Sequence, residues 1–166
     1  MKKAFTLIEI LLVVSIIAIL SASVVPNVGK YADINTLSQT AQNISTNVEL
    51  VKFKALSGAY SNGNRANWGV TFCPGGDTSK YKMYALVDDG NGGVIEEGVR
   101  EIDLDNNVTF DSSCVNLGNG IVVIFDRLTS RPKDAVTKSV DLLKSGYQVK
   151  LTVDGITGKV GVTKIK

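Results

Sequence analysis

One ionisable side chain stands inside the most apolar part of the chain. Glu9 lies within residues 5–25, where 16 of 21 residues are apolar. A lone acidic residue at the centre of a membrane helix costs about 2.5–3.5 kcal/mol, so we treat Glu9 as a functional candidate. The chemistry that its carboxylate offers is pairing with a cation in surroundings of low dielectric constant.

Most catalytic and metal-binding chemistry lacks its usual residues in this chain. The 166 residues include no histidine, which removes the commonest general base and the commonest metal ligand. Two cysteines cannot complete a four-cysteine zinc site. Residues 88–93 invite a calcium interpretation, but their spacing fails the EF-hand pattern, and a plain turn is favoured. We therefore expect no enzyme, no metal and no other cofactor.

The chain is almost neutral, so its overall charge is not expected to attract a partner. The chain carries 18 Lys and Arg against 16 Asp and Glu. Lys2 and Lys3 precede the apolar run, and without them the side-chain charges cancel. We therefore do not expect the chain to bind nucleic acid through its overall charge. Binding through a local basic patch stays possible.

The apolar run has the length of a membrane span. Its 21 residues, as a helix rising about 1.5 Å per residue, cover roughly 31 Å, close to the hydrocarbon thickness of a bilayer. Lys2 and Lys3 favour a cytoplasmic amino terminus, with the chain after Pro26 on the far side of the inner membrane. We predict a single-pass helix over residues 5–25.

Positions 2 to 9 read Lys-Lys-Ala-Phe-Thr-Leu-Ile-Glu, which resembles the signal of type IV pilins and type II secretion pseudopilins. The resemblance implies a leader over residues 1–4, cut by a membrane prepilin peptidase between Ala4 and Phe5, and N-methylation of Phe5. It also implies that Glu9 forms a salt bridge with the amino group of Phe5 on a neighbouring subunit. Other pilin or pseudopilin subunits are then the expected partners. Ala4 departs from the glycine that usually precedes the cut.

An ordinary secretory signal peptide is the alternative interpretation of the amino terminus. Lys2 and Lys3, the apolar run and the small residues 21–23 fit its three regions, which would place the mature amino terminus near Val24. Pro26 resembles the proline at which pilin helices commonly kink, and it also fits a plain end of the membrane helix.

A second helical segment is predicted over residues 26–58. Its apolar positions recur at alternating spacings of four and three, which is typical of an amphipathic helix with one buried face. Gly58 is a reasonable stop. Because the apolar stripe is short and the rest of the chain is β-rich, we expect this helix to pack on the chain's own sheet and not in a coiled coil. The stripe consists of Leu37, Ala41, Ile44, Val48, Val51 and Ala55.

Residues 59–166 are predicted to form a β-rich head outside the cytoplasm. Strand-like runs alternate with turn clusters there, and we expect no helix among them. Tyr147 begins the clearest period-two run, with residues 147, 149, 151 and 153 directed inward. The fold class is α+β, with the long helix laid across a mainly antiparallel head. The predicted strands are 68–72, 81–87, 94–104, 108–110, 120–125, 136–143, 147–153 and 158–164.

Cys73 and Cys114 are candidates for a disulfide. The predicted topology places the head in an oxidising compartment, and the number of cysteines is even. Two separately buried thiols are the alternative, and we favour the disulfide.

The head resembles the GspH/FimT branch of minor pseudopilins. Residues 55–58, 68–72, 81–84, 122–125 and 153–160 carry this resemblance, in the right order along the chain. The resemblance implies a structural and assembly subunit of a type II secretion pseudopilus or a type IV pilus.

DNA is the alternative partner, because some members of this branch bind DNA through a Gly-Arg-x-Arg motif during natural transformation. Residues 158–161 read Gly-Lys-Val-Gly here, and a single lysine replaces two guanidinium groups poorly on phosphate. Lys159 and Lys164 near the carboxyl end, with Arg127 and Arg131 in a nearby loop, are the weak candidates for such contacts. The assembly function is therefore favoured over DNA binding.

Overall fold

A computed structural model describes residues 6–61, 63–91, 93–105, 107–117 and 120–165, with all of their side chains except those of 23–27, 64 and 115–117. One long helix comes first and antiparallel strands follow. The elements are α1 Leu7–Leu56, β1 Tyr60–Ser61, β2 Asn64–Arg65, β3 Asn67–Phe72, β4 Lys80–Asp88, β5 Val94–Asp103, β6 Thr109–Phe110, β7 Ile121–Phe125, β8 Lys138–Lys144, β9 Tyr147–Val153 and β10 Val160–Lys164.

The helix α1 is a single element of 50 residues. It continues through Pro26, so the two helical segments predicted from the sequence are joined. The predicted kink at Pro26 stays a prediction. Ser57 caps the carboxyl end, and Gly58 follows with φ at 63°, a left-handed conformation that glycine adopts without steric cost from a Cβ.

The predicted apolar stripe of α1 is the part of the helix that the head buries. All six of its residues are at most 1 % exposed. Burying a side chain of the size of Leu37 or Ile44 contributes about 1.5–3 kcal/mol relative to leaving it in water. The stripe packs on strands of the same chain, β3, β7, β8, β9 and β10, as the favoured interpretation had it.

The head consists of two four-stranded antiparallel sheets and the small β1–β2 hairpin. The strand order is β5-β4-β3-β7 in the first sheet and β10-β9-β8-β6 in the second. Val149, Leu151 and Val153 on β9 are at most 3 % exposed, and the residues between them are partly exposed. The predicted α+β class is confirmed, and the arrangement is consistent with the pilin-like fold.

Polar contacts set the orientation of α1 on the head. Nζ of Lys144 lies 3.3 Å from Oδ1 of Asp33, and only 11 % of the Lys144 side chain is exposed. Asn47 donates its side-chain N–H to the hydroxyl of Tyr81 at 2.6 Å. Burial raises the pKa of Tyr81, so the hydroxyl keeps its proton at neutral pH. The helix is thus held at two separate points along its length.

The expectation of a head without helix is wrong in detail. Two short 3₁₀ helices occur in it, Pro74–Gly76 and Ser112–Leu117. The first follows from its Pro-Gly-Gly sequence, because proline fixes φ and glycine permits the left-handed turn found at Gly75. Cys73 comes directly before the first helix and Cys114 lies in the second.

In the structure a disulfide joins these two cysteines. The Cα atoms of Cys73 and Cys114 are 6.3 Å apart, and the two positions are 41 residues apart in sequence. Both residues are fully buried. The bond ties the end of β3 to the segment that precedes β7, its partner in the sheet.

Replacing Ile44 by Ala should lower the free energy of unfolding by about 2–5 kcal/mol, because the residue is buried between helix and sheets and leaves a cavity. The matched control is Gln42→Ala on the exposed side of α1, which should change it by less than about 0.5 kcal/mol. Urea unfolding followed by the fluorescence of Trp68 measures both. Equal effects at the two positions would contradict the packing described for α1.

Replacing both Cys73 and Cys114 by Ala should lower the free energy of unfolding by about 3–4 kcal/mol, because the open loop regains conformational entropy when unfolded. The reduced wild-type protein is the control and should show the same loss. Intact masses after alkylation of the denatured protein, with and without reductant, report the bond itself. Alkylation of both thiols without reductant would contradict it.

Candidate assembly site

The amino-terminal part of α1 exposes its large apolar side chains. Leu7 is 79 % exposed, Leu12 is 59 % exposed and Leu20 is 61 % exposed. None of the core residues in the described part of the chain comes from this stretch. A contiguous apolar surface of this kind marks an interaction site on a protein.

Glu9 lies at the amino-terminal end of this surface and is part of a capping box. Oε2 of Glu9 accepts hydrogen bonds from the backbone N–H of Thr6 at 2.8 Å and from its hydroxyl at 2.9 Å. The hydroxyl oxygen of Thr6 accepts in return from the backbone N–H of Glu9 at 3.4 Å. These contacts satisfy backbone donors that the first turn of a helix leaves open.

The capping box uses one of the two oxygens of the Glu9 carboxylate. Both hydrogen bonds from Thr6 reach Oε2, and no described residue donates to Oε1. The side chain is exposed. A second donor, such as an ammonium group, can therefore reach Oε1 while Thr6 keeps Oε2 in place.

Thr6 is a residue that the sequence analysis missed. The signal was present, because a threonine followed three residues later by glutamate, just before an apolar run, is the spacing of a capping box. The neighbouring positions Ala4 and Phe5, where cleavage and methylation are predicted, lie outside the described residues.

Among the described residues, no helix combines the length and the apolarity needed to cross a membrane.

Three of the four weak basic candidates, Arg127, Arg131 and Lys159, lie in two turns that pack side by side, and Lys164 lies on β10. A Cβ built on Gly158, next to Lys159, would lie 3.4 Å from the carbonyl oxygen of Ser130, next to Arg131. Lys159, Arg131 and Lys164 are exposed. The structure thus brings the two turns together.

Arg127 has a structural role beside these turns. Its Nη1 donates to the carbonyl oxygen of Arg65 at 3.3 Å, and its backbone N–H donates to Oδ1 of Asn67 at 3.1 Å. These contacts connect the loop after β7 to the beginning of β3. The guanidinium group is therefore partly engaged within the chain.

Each basic turn also contains an ionised aspartate. The backbone N–H of Leu128 lowers the pKa of Asp126, and the backbone N–H of Thr157 lowers the pKa of Asp154. The negative charges persist at neutral pH beside the cations, which weakens the attraction of this region for phosphate.

Asp88 and Asp89, in the acidic segment at the end of β4, accept hydrogen bonds from the backbone that follows them. Oδ1 of Asp89 accepts from the backbone N–H groups of Asn91 and Gly93, both at 2.8 Å, and Oδ1 of Asp88 accepts from Gly90 at 2.9 Å. In the part of the chain that the structure describes, no group of three His, Cys, Asp or Glu side chains is placed to hold a metal ion.

Residues 1–25 match the prokaryotic N-terminal methylation motif. No curated protein and no solved structure matches the chain. The motif supports a type IV pilin-like protein, with processing by prepilin peptidase and assembly with other pilin subunits. A motif of this type points to a structural subunit and not to an enzyme.

Proposed function

We propose that the chain is a minor pilin or pseudopilin of a type II secretion pseudopilus or a type IV pilus. It is made as a precursor, held in the inner membrane by residues 5–25 with the head outside the cytoplasm, and then moved into a filament. The observation that carries this proposal is the methylation motif on a helix whose amino-terminal half the head leaves exposed. Lipid covers that half first, and neighbouring helices cover it in the filament.

The Glu9 geometry supports a specific assembly contact. Cleavage between Ala4 and Phe5 creates an amino group close to the first turn of α1, and methylation leaves this amine able to carry charge. Between subunits in a core of low dielectric constant, that ammonium and Oε1 of Glu9 attract each other more strongly than in water. The pairing offsets the cost of burying the carboxylate.

The GspH/FimT branch is the proposed assignment within the pilin-like proteins. The stretches that carry the resemblance lie on the elements that build the core of the head: the end of α1, then β3, β4, β7 and the β9–β10 hairpin. Two antiparallel sheets packed on one helix suit such a head.

DNA binding is the less favoured alternative. Of the four candidate cations, Arg127 is engaged with Arg65, and Lys159 and Arg131 lie in turns that hold ionised aspartates. Phosphate contacts need free cations that track a backbone. DNA binding is therefore not part of the proposed function.

The mature protein should have lost its first four residues and gained one methyl group, because the prepilin peptidase both cuts before Phe5 and methylates it. Intact mass and amino-terminal sequencing of the protein purified from membranes measure this. A strain without the peptidase is the control and should yield the full precursor. An amino terminus near Val24 would contradict the proposal and support a secretory signal peptide.

Glu9→Gln separates the two roles of this side chain. Glutamine still accepts the hydrogen bonds of a capping box but carries no charge, whereas Glu9→Val removes both features. We expect both variants to reach the membrane and both to lose most filament incorporation, measured by the fraction of the protein in sheared filaments. Full incorporation of the glutamine variant would show that capping alone accounts for Glu9.

A further inference from the structure

Strand β5 is an edge strand that the fold leaves uncovered. In its sheet it pairs with β4 on one side only. It is ten residues long, about 33 Å at the usual rise, and its side chains are exposed on both faces apart from two that are partly buried. The exposed fractions include 65 % for Val94, 46 % for Ile95 and 47 % for Val99. Native proteins rarely leave a long edge strand with apolar side chains without a partner.

The hairpin that contains β5 is acidic. Residues 80–105, here called the acidic ribbon, carry seven Asp and Glu against three Lys and Arg, a net charge of −4. Two of the acids are paired locally, Glu96 with Lys82 at 2.6 Å and Asp103 with Lys80 at 3.9 Å. Glu101 and Asp105 are exposed, and they form no ion pair with a described residue.

The carboxyl-terminal part of the head has the opposite charge. Residues 127–166, here called the basic sheet, contain β8, β9 and β10 and carry nine Lys and Arg against three Asp and Glu, a net charge of +6. Its outer edge is β10, where Val162 is 38 % exposed and Ile165, just beyond the strand, is 48 % exposed. Lys159 and Lys164 flank these apolar side chains and are exposed.

The two charged regions do not neutralise each other within the chain. Among the described residues, no ion pair joins the acidic ribbon to the basic sheet. The ion pairs of the basic sheet are Lys138 with Asp134 and Lys144 with Asp33. β5 and β10 are edge strands of different sheets. The head therefore carries one acidic and one basic region although its total charge is small.

We propose that the acidic ribbon of one head docks on the basic sheet of a second copy of this chain. Each surface combines an exposed strand edge, exposed apolar side chains and charge of one sign, and the two signs are complementary. A symmetric contact through either surface alone would bring like charges together, which costs free energy. The contact is therefore head-to-tail, and a row of docked copies keeps one free ribbon at one end and one free sheet at the other, as an open filament requires. This inference rests on the proposed filament function and adds the surfaces through which heads meet.

Two charge-reversal variants test the docking with the full chain in detergent. Glu101→Lys with Asp105→Lys brings the ribbon from −4 to 0, and Lys159→Glu with Lys164→Glu brings the sheet from +6 to +2. Native mass spectrometry counts the chains in each complex. The wild-type chain should give a ladder of oligomers at about 50 mM NaCl that collapses towards monomers at about 500 mM, because salt shortens the range of the attraction.

Each variant alone should be monomeric, and an equal mixture of the two should form dimers and nothing longer. The variant with the altered sheet still has an intact ribbon, which fits the intact sheet of the variant with the altered ribbon. The two surfaces left free in that dimer are both altered, so no third chain docks. The dimer also shows that both variants fold. Lys30→Glu with Lys52→Glu, two cations of α1 outside both surfaces, is the matched control and should keep the wild-type ladder.

Three outcomes would overturn the proposal: ladders that persist in either variant, a mixture that stays monomeric, or wild-type chains that stay monomeric at low salt. If the basic-sheet variant instead loses binding to a duplex DNA that the wild-type chain binds, and its oligomers persist, the surface is one for nucleic acid. The processing of the amino terminus is measured independently by mass. A failed docking test therefore leaves the filament proposal standing, and a failure of the filament proposal is recognised separately, by the mass of the amino terminus.

Discussion

An apolar helical half that its own fold leaves uncovered is the constraint on which the rest of this structure depends. The large side chains between Leu7 and Leu20 are about half exposed or more, while the stripe between Leu37 and Ala55 is buried by the head. Apolar surface in water costs about 25 cal/mol per Å². Because the two halves belong to one helix, whatever covers the first half also positions the head. Lys144, through Asp33, and Asn47, through Tyr81, connect the helix to the sheets.

The small net charge of the chain hides charged groups in two places, on the head and in the first turn of α1. The side-chain charges after Lys3 sum to zero, yet the acidic ribbon carries −4 and the basic sheet +6. In the amino-terminal turn, Oε2 of Glu9 accepts two hydrogen bonds from Thr6, and Oε1 accepts none from a described residue; the proposed neighbour contact uses Oε1. In this account the apolar helix supplies most of the association free energy, and the charges select the partner and its direction.

The sequence predicted those parts of the fold that repeat with a local period. The stripe of α1 and the alternation in β9 were readable because each follows one element's geometry. The pairing of β3 with β7 and of β6 with β8 was not, since it joins distant segments. The burial of Tyr84 was not predictable from local sequence either, since its ring lies over Gly69 on the paired strand β3, where a Cβ at position 69 would come within 2.9 Å of the ring. Of the candidate site, Glu9 was predictable from its contrast with the apolar run, whereas its capping partner Thr6 was missed because a small uncharged side chain contrasts little with its neighbours.

The most direct test of this account is the behaviour of a chain that begins at Gly29, without the exposed half of the helix. Trp68 is the only tryptophan and is 9 % exposed, so its fluorescence reports the packing of helix on sheet. The account predicts that the shortened chain is soluble without detergent and unfolds in urea in a single cooperative transition, while the full chain requires detergent. A shortened chain that aggregates or unfolds without cooperativity would contradict it, because the amino-terminal half would then be part of the fold of the head.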